Sequence, residues 1–150
     1  MLTNVTSQWN NATVCGPMAR EVMKALGTDI DLSPEAFPFM GFRDGTVAGL
    51  PARVVRVSFT GELSFEINVA PRHLRALWDR VMEAGAPYNI QPVGSEASHV
   101  LRVEKGFLSL GHEVDGTDAS WSACCRLIRT GRSPKVRRLP PAGAGRRAKA

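Results

Sequence analysis

The strict alternation of apolar and polar residues between positions 63 and 69 constrains the fold of this chain more than any other feature. A period of two is typical of a β-strand with one buried face. The apolar positions are Leu63, Phe65, Ile67 and Val69, and the polar positions between them are Ser64, Glu66 and Asn68. The segment therefore predicts a strand that faces a core on one side only.

The preceding segment, residues 53–59, is predicted to pair with this strand as a hairpin. Pairing every core-side residue with another apolar residue fixes the register. In that register Phe59, Val57 and Val55 face Leu63, Phe65 and Ile67, respectively. It also places Arg56 opposite Glu66, which predicts a cross-strand charge pair.

The turn of this hairpin is predicted to be Thr60-Gly61-Glu62, a three-residue loop with its own glycine. A two-residue turn would instead pair Phe59 with Glu62 and would mix the two faces of the strands. In the three-residue turn Glu62 has no structural partner. This carboxylate is therefore either a solvated turn residue or a contact for a ligand.

The rest of the chain alternates helical and strand patterns. The predicted order is a strand over residues 4–15, a helix over 16–26, a short turn at 33–36, strands over 39–49 and 52–59, the strand over 63–69, and helices over 71–85 and 95–105. The apolar stripe of the first helix consists of Ala19, Val22, Met23 and Leu26. This order predicts an α+β domain with helices on one face of a largely antiparallel sheet.

The helix predicted over 95–105 has two contrasting faces. Its apolar face holds Ala97, Val100 and Leu101, and its polar face holds Ser98, His99 and Arg102. Glu104 falls in the middle of the apolar face. Because a carboxylate on a buried apolar face is costly unless it is paired, Glu104 is either a structural ion-pair partner or part of a site.

Charge divides the chain into two parts. Residues 1–119 carry ten Lys/Arg against fourteen Asp/Glu, a net charge of −4, whereas residues 120–150 carry nine Lys/Arg and no acid. The overall charge of +5 therefore does not indicate a nucleic-acid-binding domain. The tail over 119–150 is predicted to be disordered. It is interpreted as a basic arm, a natural disordered tail or the product of a shifted reading frame.

The cysteines and the hydropathy exclude several classes of protein. Cys15 and the adjacent Cys124-Cys125 pair form neither a disulfide framework nor a zinc-binding spacing. No stretch predicts a transmembrane helix or a signal peptide, so a cytoplasmic location is expected. The sequence predicts no metal site, and no flavin or nicotinamide site within this chain.

Several stretches resemble the folate-binding aminomethyltransferase family, which includes the T-protein of the glycine cleavage system. The resemblance rests mainly on the Thr60-Gly61-Glu62 turn and on the Leu-Arg-Val-Glu-Lys-Gly-Phe segment at 101–107, and it covers about residues 3–118. Supporting stretches lie at residues 5–9, 15–17, 37–41 and 111–117. The last of these and the neighbourhood of Trp9 favour the sarcosine oxidase branch of the family.

The resemblance implies a ferredoxin-like sheet-and-helix unit that binds tetrahydrofolate. It implies that Glu62 contacts the pterin, since one carboxylate can accept the ring N–H and the amino group together. Phe59, where the T-protein usually has tyrosine, would pack either on the cofactor or in the core. Arg102 would either assist near the folate or remain a solvated helix arginine. Glu104 completes the candidate cofactor-binding set, and no catalytic residue is assigned.

Within its branch the chain would belong to an oxidoreductase that demethylates sarcosine. The resemblance implies that the released one-carbon unit is captured by tetrahydrofolate, giving glycine and 5,10-methylenetetrahydrofolate. Flavin and NAD would bind elsewhere in the intact complex, together with the other subunits. We expect a fragment without independent catalysis, partial over residues 1–118. The alternatives are an aminomethyltransferase of glycine cleavage and a non-catalytic folate-binding module.

Overall fold

The computed structural model of the protein describes residues 2–109 and 111–112. Its strands are β1 (Asn10–Cys15), β2 (Phe42–Val47), β3 (Leu50–Val55) and β4 (Ser64–Val69). Its α-helices are α1 (Ala19–Leu26), α2 (Leu74–Gly85) and α3 (Ser95–Lys105). Short 3-10 helices lie at Thr6–Gln8, Pro71–His73 and Ala86–Tyr88.

The four strands form one antiparallel sheet in the order β1-β4-β3-β2. The helices α1 and α2 contact each other and β1, so both cover the same face of the sheet. The core between these layers includes the fully buried residues Met23, Val54, Phe65, Ile67, Val69 and Leu77. The predicted α+β class, the apolar stripe of α1 and the inward face of β4 are therefore confirmed.

Local backbone geometry places some strand ends differently from the prediction. The first strand begins only at Asn10, because Thr6–Gln8 forms a separate turn whose first N–H is accepted by Asn4 Oδ1 at 2.9 Å. The strands β2 and β3 are joined by Ala48 and Gly49, which have φ values of 52° and 71°. Two consecutive positive φ angles match the twist of a two-residue hairpin, so the predicted strand limits of 39–49 and 52–59 are wrong.

The predicted register between β3 and β4 is wrong by one residue. Val54 faces Ile67 and Val55 faces Glu66 across the two strands. The sequence contains two adjacent valines, and the fold buries Ala52 and Val54 rather than the odd-numbered set. A shift of one residue exchanges the two faces of a strand, so Val54 is fully buried.

The predicted charge pair between Arg56 and Glu66 is therefore also wrong. The Arg56 guanidinium instead donates from Nη1 to the backbone oxygen of Phe37 at 2.5 Å. The Glu66 carboxylate accepts from Asn11 Nδ2 at 3.4 Å, on the neighbouring strand β1. Each side chain thus has a structural partner on a different element.

The carboxy-terminal predictions fall beyond this fold. One compact unit ends at Phe107 and a second begins at Leu108. The predicted boundary at 118, the basic tail over 119–150 and the Cys124-Cys125 pair all lie outside the described residues. Within residues 2–109 and 111–112, no helix is long and apolar enough to cross a membrane.

The register between β3 and β4 is tested by replacing an even-numbered valine, Val54, and an odd-numbered valine, Val57, by threonine. Val54→Thr should lower the free energy of unfolding by about 1–3 kcal/mol, because it buries a hydroxyl without a partner. Val57→Thr should cost less, since Val57 is only half-buried. Urea denaturation of both variants gives the comparison. A larger loss for Val57→Thr would support the alternative register.

Candidate functional site

The site lies where the two central strands separate. Arg56 leaves β4 and pairs with the 40–41 segment, accepting from Met40 N at 2.8 Å and donating to Gly41 O at 2.9 Å. Leu63 stays with the β1 side, where its carbonyl accepts from Gly16 N at 2.9 Å. Residues 56–63 therefore form an open loop rather than the tight hairpin that the sequence predicts.

The tip of this loop packs against the last turn of α3. Gly61 has a φ of +83°, and a Cβ there would overlap the side chain of Lys105. The backbone conformation therefore favours glycine, and the flexible Lys105 side chain would have to move to admit any other residue. This contact brings the Thr60-Gly61-Glu62 turn to the residues of α3.

The predicted site residues Phe59 and Arg102 lie close together at the loop, and His99 contacts Phe59. The Phe59 and His99 rings stand edge to face, with centroids 5.7 Å apart and an interplanar angle of 80°. The Arg102 guanidinium carbon lies 5.9 Å from the centroid of Phe59, within the range of a cation–π contact. Phe59 itself is 43% exposed, so part of its ring remains available to a planar ligand.

Arg102 is buried, which contradicts the alternative that it is a solvated helix arginine. Its side chain is 3% exposed, and Nη1 donates to the Phe107 carbonyl oxygen at 2.7 Å. The helix ends at Gly106 in the left-handed conformation, which lets Phe107 N bond back to Arg102 O at 3.1 Å. Arg102 therefore fixes both the helix end and the segment that follows it.

The whole helix α3 is turned in the opposite sense to the prediction, although its bounds are confirmed. The polar side packs inward, and the apolar side is exposed, with Val100 at 53% and Val103 at 59% exposure. Glu104 is exposed as well. The reason given for a buried ion pair at Glu104 thus disappears, and the structure does not bring this residue into the cluster around Phe59.

Glu62 is exposed and lines a cavity of about 320 Å³. Phe39, Arg56 and Phe107 form other parts of its wall. Ser58 also lines it, and its hydroxyl oxygen is buried without a hydrogen-bond partner among the described residues. The cavity therefore offers an accessible carboxylate, aromatic walls and one unsatisfied hydroxyl, a set that suits a flat, polar heterocycle.

Sequence reasoning missed Cys15, Ser58 and Phe107 as parts of this region. Cys15 could have been placed here only from the register between β1 and the first residue of β4, because Cys15 faces Ser64. The role of His99 had a usable signal, because residues three apart on a helix share one face. His99 and Arg102 have that spacing.

Cys15 responds electrostatically to the loop. Although Cys15 is an exposed residue, partial desolvation of its thiol raises the pKa, the Thr60 hydroxyl lowers it, and the Glu62 carboxylate raises it further. A negative charge disfavours formation of a nearby thiolate. The thiol is therefore a natural reporter of the charge at position 62.

Comparison with protein families assigns this chain to one family. The family model described as the GCVT N-terminal domain matches residues 1–126. The chain belongs to this family, which confirms the resemblance drawn from the turn and from the 101–107 segment.

Individual relatives refine the comparison. The sarcosine oxidase alpha subunit of Corynebacterium sp. strain U-96 is 46% identical over 116 residues, covering 77% of this chain. The aminomethyltransferase of Chloroherpeton thalassium is 36% identical over 115 residues, and the mitochondrial dimethylglycine dehydrogenase of Mus musculus is 34% identical over 114. The chain spans 12%, 31% and 13% of these three proteins, respectively.

One solved structure has a similar fold. It is a heterotetrameric sarcosine oxidase from Corynebacterium sp. U-96 in complex with pyrrole 2-carboxylate. The alignment has a TM-score of 0.52 and covers 60% of this chain and 44% of that chain, at 20% sequence identity. This likeness supports the mixed fold with its antiparallel sheet.

The electrostatic link between Cys15 and the loop gives a direct test. Glu62→Gln should lower the pKa of Cys15, because it removes a negative charge, and should speed alkylation of Cys15 at a pH below that pKa. The rate is followed against pH by mass spectrometry of the peptide that contains Cys15. Glu104→Gln is the control, with no shift expected. An unchanged Cys15 profile in Glu62→Gln would contradict the geometry of the loop.

Proposed function

We propose that this chain is the tetrahydrofolate-binding region of a sarcosine oxidase alpha-type protein. The observation that carries the proposal is the exposed Glu62 carboxylate on a loop that also presents the Phe59 ring to Arg102. The match to the GCVT family and the 46% identity to a sarcosine oxidase alpha subunit support it.

Glu62 would orient the pterin. A pterin carries a ring N–H and an amino group side by side, and a single carboxylate can accept both hydrogen bonds. Such a paired contact fixes the angle of the ring as well as its position. Because Glu62 is exposed in the 320 Å³ cavity, a ligand can reach it without unfolding the loop.

Phe59 and Arg102 would support the site from beside the Glu62 cavity, since Phe59 lines a second cavity of about 590 Å³ rather than the one that Glu62 lines. A partly exposed ring can stack against a flat heterocycle. The Arg102 guanidinium lies within cation–π distance of the Phe59 ring and is attracted by the electron-rich face of Phe59. Arg102 also holds the Phe107 carbonyl, and Phe107 lines the cavity with Glu62. We propose that Arg102 assists folate binding mainly by positioning these groups.

In the whole protein the site would capture a one-carbon unit. Sarcosine would lose its N-methyl group at a flavin held elsewhere in the complex, where NAD and other subunits also bind. The resulting imine or formaldehyde equivalent would react with tetrahydrofolate here, yielding glycine and 5,10-methylenetetrahydrofolate. A folate held beside the source of the one-carbon unit has a high effective concentration, so capture can outrun release of free formaldehyde.

A second candidate is the aminomethyltransferase activity of glycine cleavage, favoured by the 36% identity to the Chloroherpeton thalassium protein. That activity would need no flavin. A third is a non-catalytic folate-binding module. Reconstitution with flavin-containing subunits separates the first candidate from the other two, since only the first couples sarcosine oxidation to folate.

Folate affinity should depend on the charge of Glu62. Glu62→Gln should weaken binding of tetrahydrofolate by about 10–100-fold, because hydrogen bonds to a charged group contribute about 1.5–3 kcal/mol. Titration calorimetry measures the loss, and Glu104→Gln is the matched control, with unchanged affinity expected. Equal losses in the two variants would place the folate elsewhere.

Coupling in a longer protein provides an independent check. In a flavin-containing protein that includes this region, Glu62→Ala should abolish folate-dependent capture of the one-carbon unit. Reduction of the flavin by sarcosine should persist, because Glu62 is proposed to touch only the folate. Stopped-flow absorbance follows the flavin, and a formaldehyde assay follows the uncaptured product. Loss of both activities together would remove Glu62 from the folate site.

A further inference from the structure

The strand β1 has an open edge. It lies at the end of the sheet and pairs only with β4 among the described strands. The Gly16 N–H bonds to Leu63 O, and antiparallel pairs alternate between bonded and non-bonded positions. The backbone N–H and C=O groups of the even-numbered residues in β1 therefore point toward β4. Those of Asn11, Thr13 and Cys15 point away from the sheet.

This edge lacks the protection found at the opposite side of the sheet. Exposed edges usually carry charges or proline, or are covered by another segment. The outer strand β2 includes Arg43 and Asp44, and its Thr46 N–H is bonded to Asp29 Oδ1 at 2.7 Å. The β1 sequence, Asn-Asn-Ala-Thr-Val-Cys, has neither charge nor proline. It is therefore suited to pairing.

A cavity of about 590 Å³ runs along the same edge. Its wall includes all of residues 11–19, the α2 side chains Trp78 and Met82, and the segment 88–93, and at one end the Phe59 ring of the candidate folate site. Glu66 is the one charged residue among the described residues that line it. Trp78 is 46% exposed and Val93 is 54% exposed at this wall. The wall combines these apolar side chains with uncharged polar ones such as Asn11, Thr13 and Gln91, so the cavity suits uncharged side chains that are mainly apolar.

We propose that the β1 edge and this cavity form a docking site for an extended, apolar and uncharged polypeptide strand. The strand would bond to the outward-pointing backbone groups of Asn11, Thr13 and Cys15, to which no described strand bonds, and every second side chain would enter the cavity. Adding a strand to an open sheet edge in this way is a general mode of peptide recognition. The relatives carry most of their sequence outside the region matched here, and that sequence can supply the strand.

A second copy of this chain is a poorer occupant. Pairing of two β1 edges would direct only Ala12 and Val14 toward the cavity from the partner, since these are the core-facing residues of the strand. Such small side chains would leave most of a 590 Å³ space empty, and unfilled space forfeits packing contacts. A strand with larger apolar side chains fits the space better.

Peptide binding tests the proposal. Overlapping peptides of the Corynebacterium sp. U-96 sarcosine oxidase alpha subunit, taken from outside the matched region, are the probes. An apolar, uncharged peptide should bind and slow amide exchange at Asn11, Thr13 and Cys15 by at least about tenfold, as expected for new backbone hydrogen bonds. Failure of every peptide to protect these amides would overturn the proposal.

Two variants distinguish edge pairing from general stickiness. Thr13→Pro removes one outward N–H and should abolish binding, whereas Thr13→Ala keeps that N–H and should bind normally. Val93→Asp places a carboxylate at the cavity wall and should also abolish binding. Val103→Asp, on the exposed side of α3, is its control. Equal binding by Val93→Asp and Val103→Asp would overturn the proposal, as would a β1-dependent dimer in light scattering.

Discussion

The site depends on how the two ends of one loop are held apart. Arg56 is bonded to the backbone of Gly41, and Leu63 is bonded to Gly16, so the strands that these residues would extend are drawn to opposite sides of the sheet. The closed hairpin that the sequence predicts, with its three-residue turn at 60–62, is replaced by an open loop over residues 56–63. Without this separation Phe59 would pair across the sheet, and Glu62 would stand at a tight turn far from a cavity wall.

The helix α3 differs from the other two helices in the residues that it buries. α1 and α2 bury apolar residues against the sheet, whereas α3 buries an arginine and exposes valines. A buried guanidinium needs partners, and among the described residues the Phe107 carbonyl accepts from Arg102 Nη1 and the Phe59 ring lies within cation–π distance. The helix is thus positioned by polar and aromatic contacts, which also assemble the candidate site.

Much of the fold could be predicted from periodicity because periodicity reports burial. The alternation in β4 and the spacing in α1 match the faces that the structure buries. The register of β3 could not be obtained in the same way, since Val54 and Val55 are adjacent and either could face the core. The orientation of α3 was mispredicted because apolar residues were assumed to face inward, and only tertiary contacts reveal the burial of Arg102.

The candidate site was predicted through motif resemblance more than through pattern. Composition and spacing left Glu62 as either a solvated residue or a ligand contact, and they could not show that Phe59, His99 and Arg102 meet. Those contacts arise where the loop approaches α3, with Gly61 next to the Lys105 side chain. Such an approach joins residues distant in sequence, and a single sequence carries no direct signal for it.

The small number of buried residues in α3 has a consequence for ligand affinity. Arg102 is its one buried residue among those described, so lifting the helix away from the rest of residues 2–109 would expose little apolar surface. Elements held in this way open at a smaller free energy than the whole domain. Each opening would separate the guanidinium from Phe59, and the apparent affinity of any ligand at the loop would scale with the fraction of molecules in which the helix is closed. A covering segment that pressed on the exposed valines of α3 would raise that fraction and tighten binding without touching the ligand.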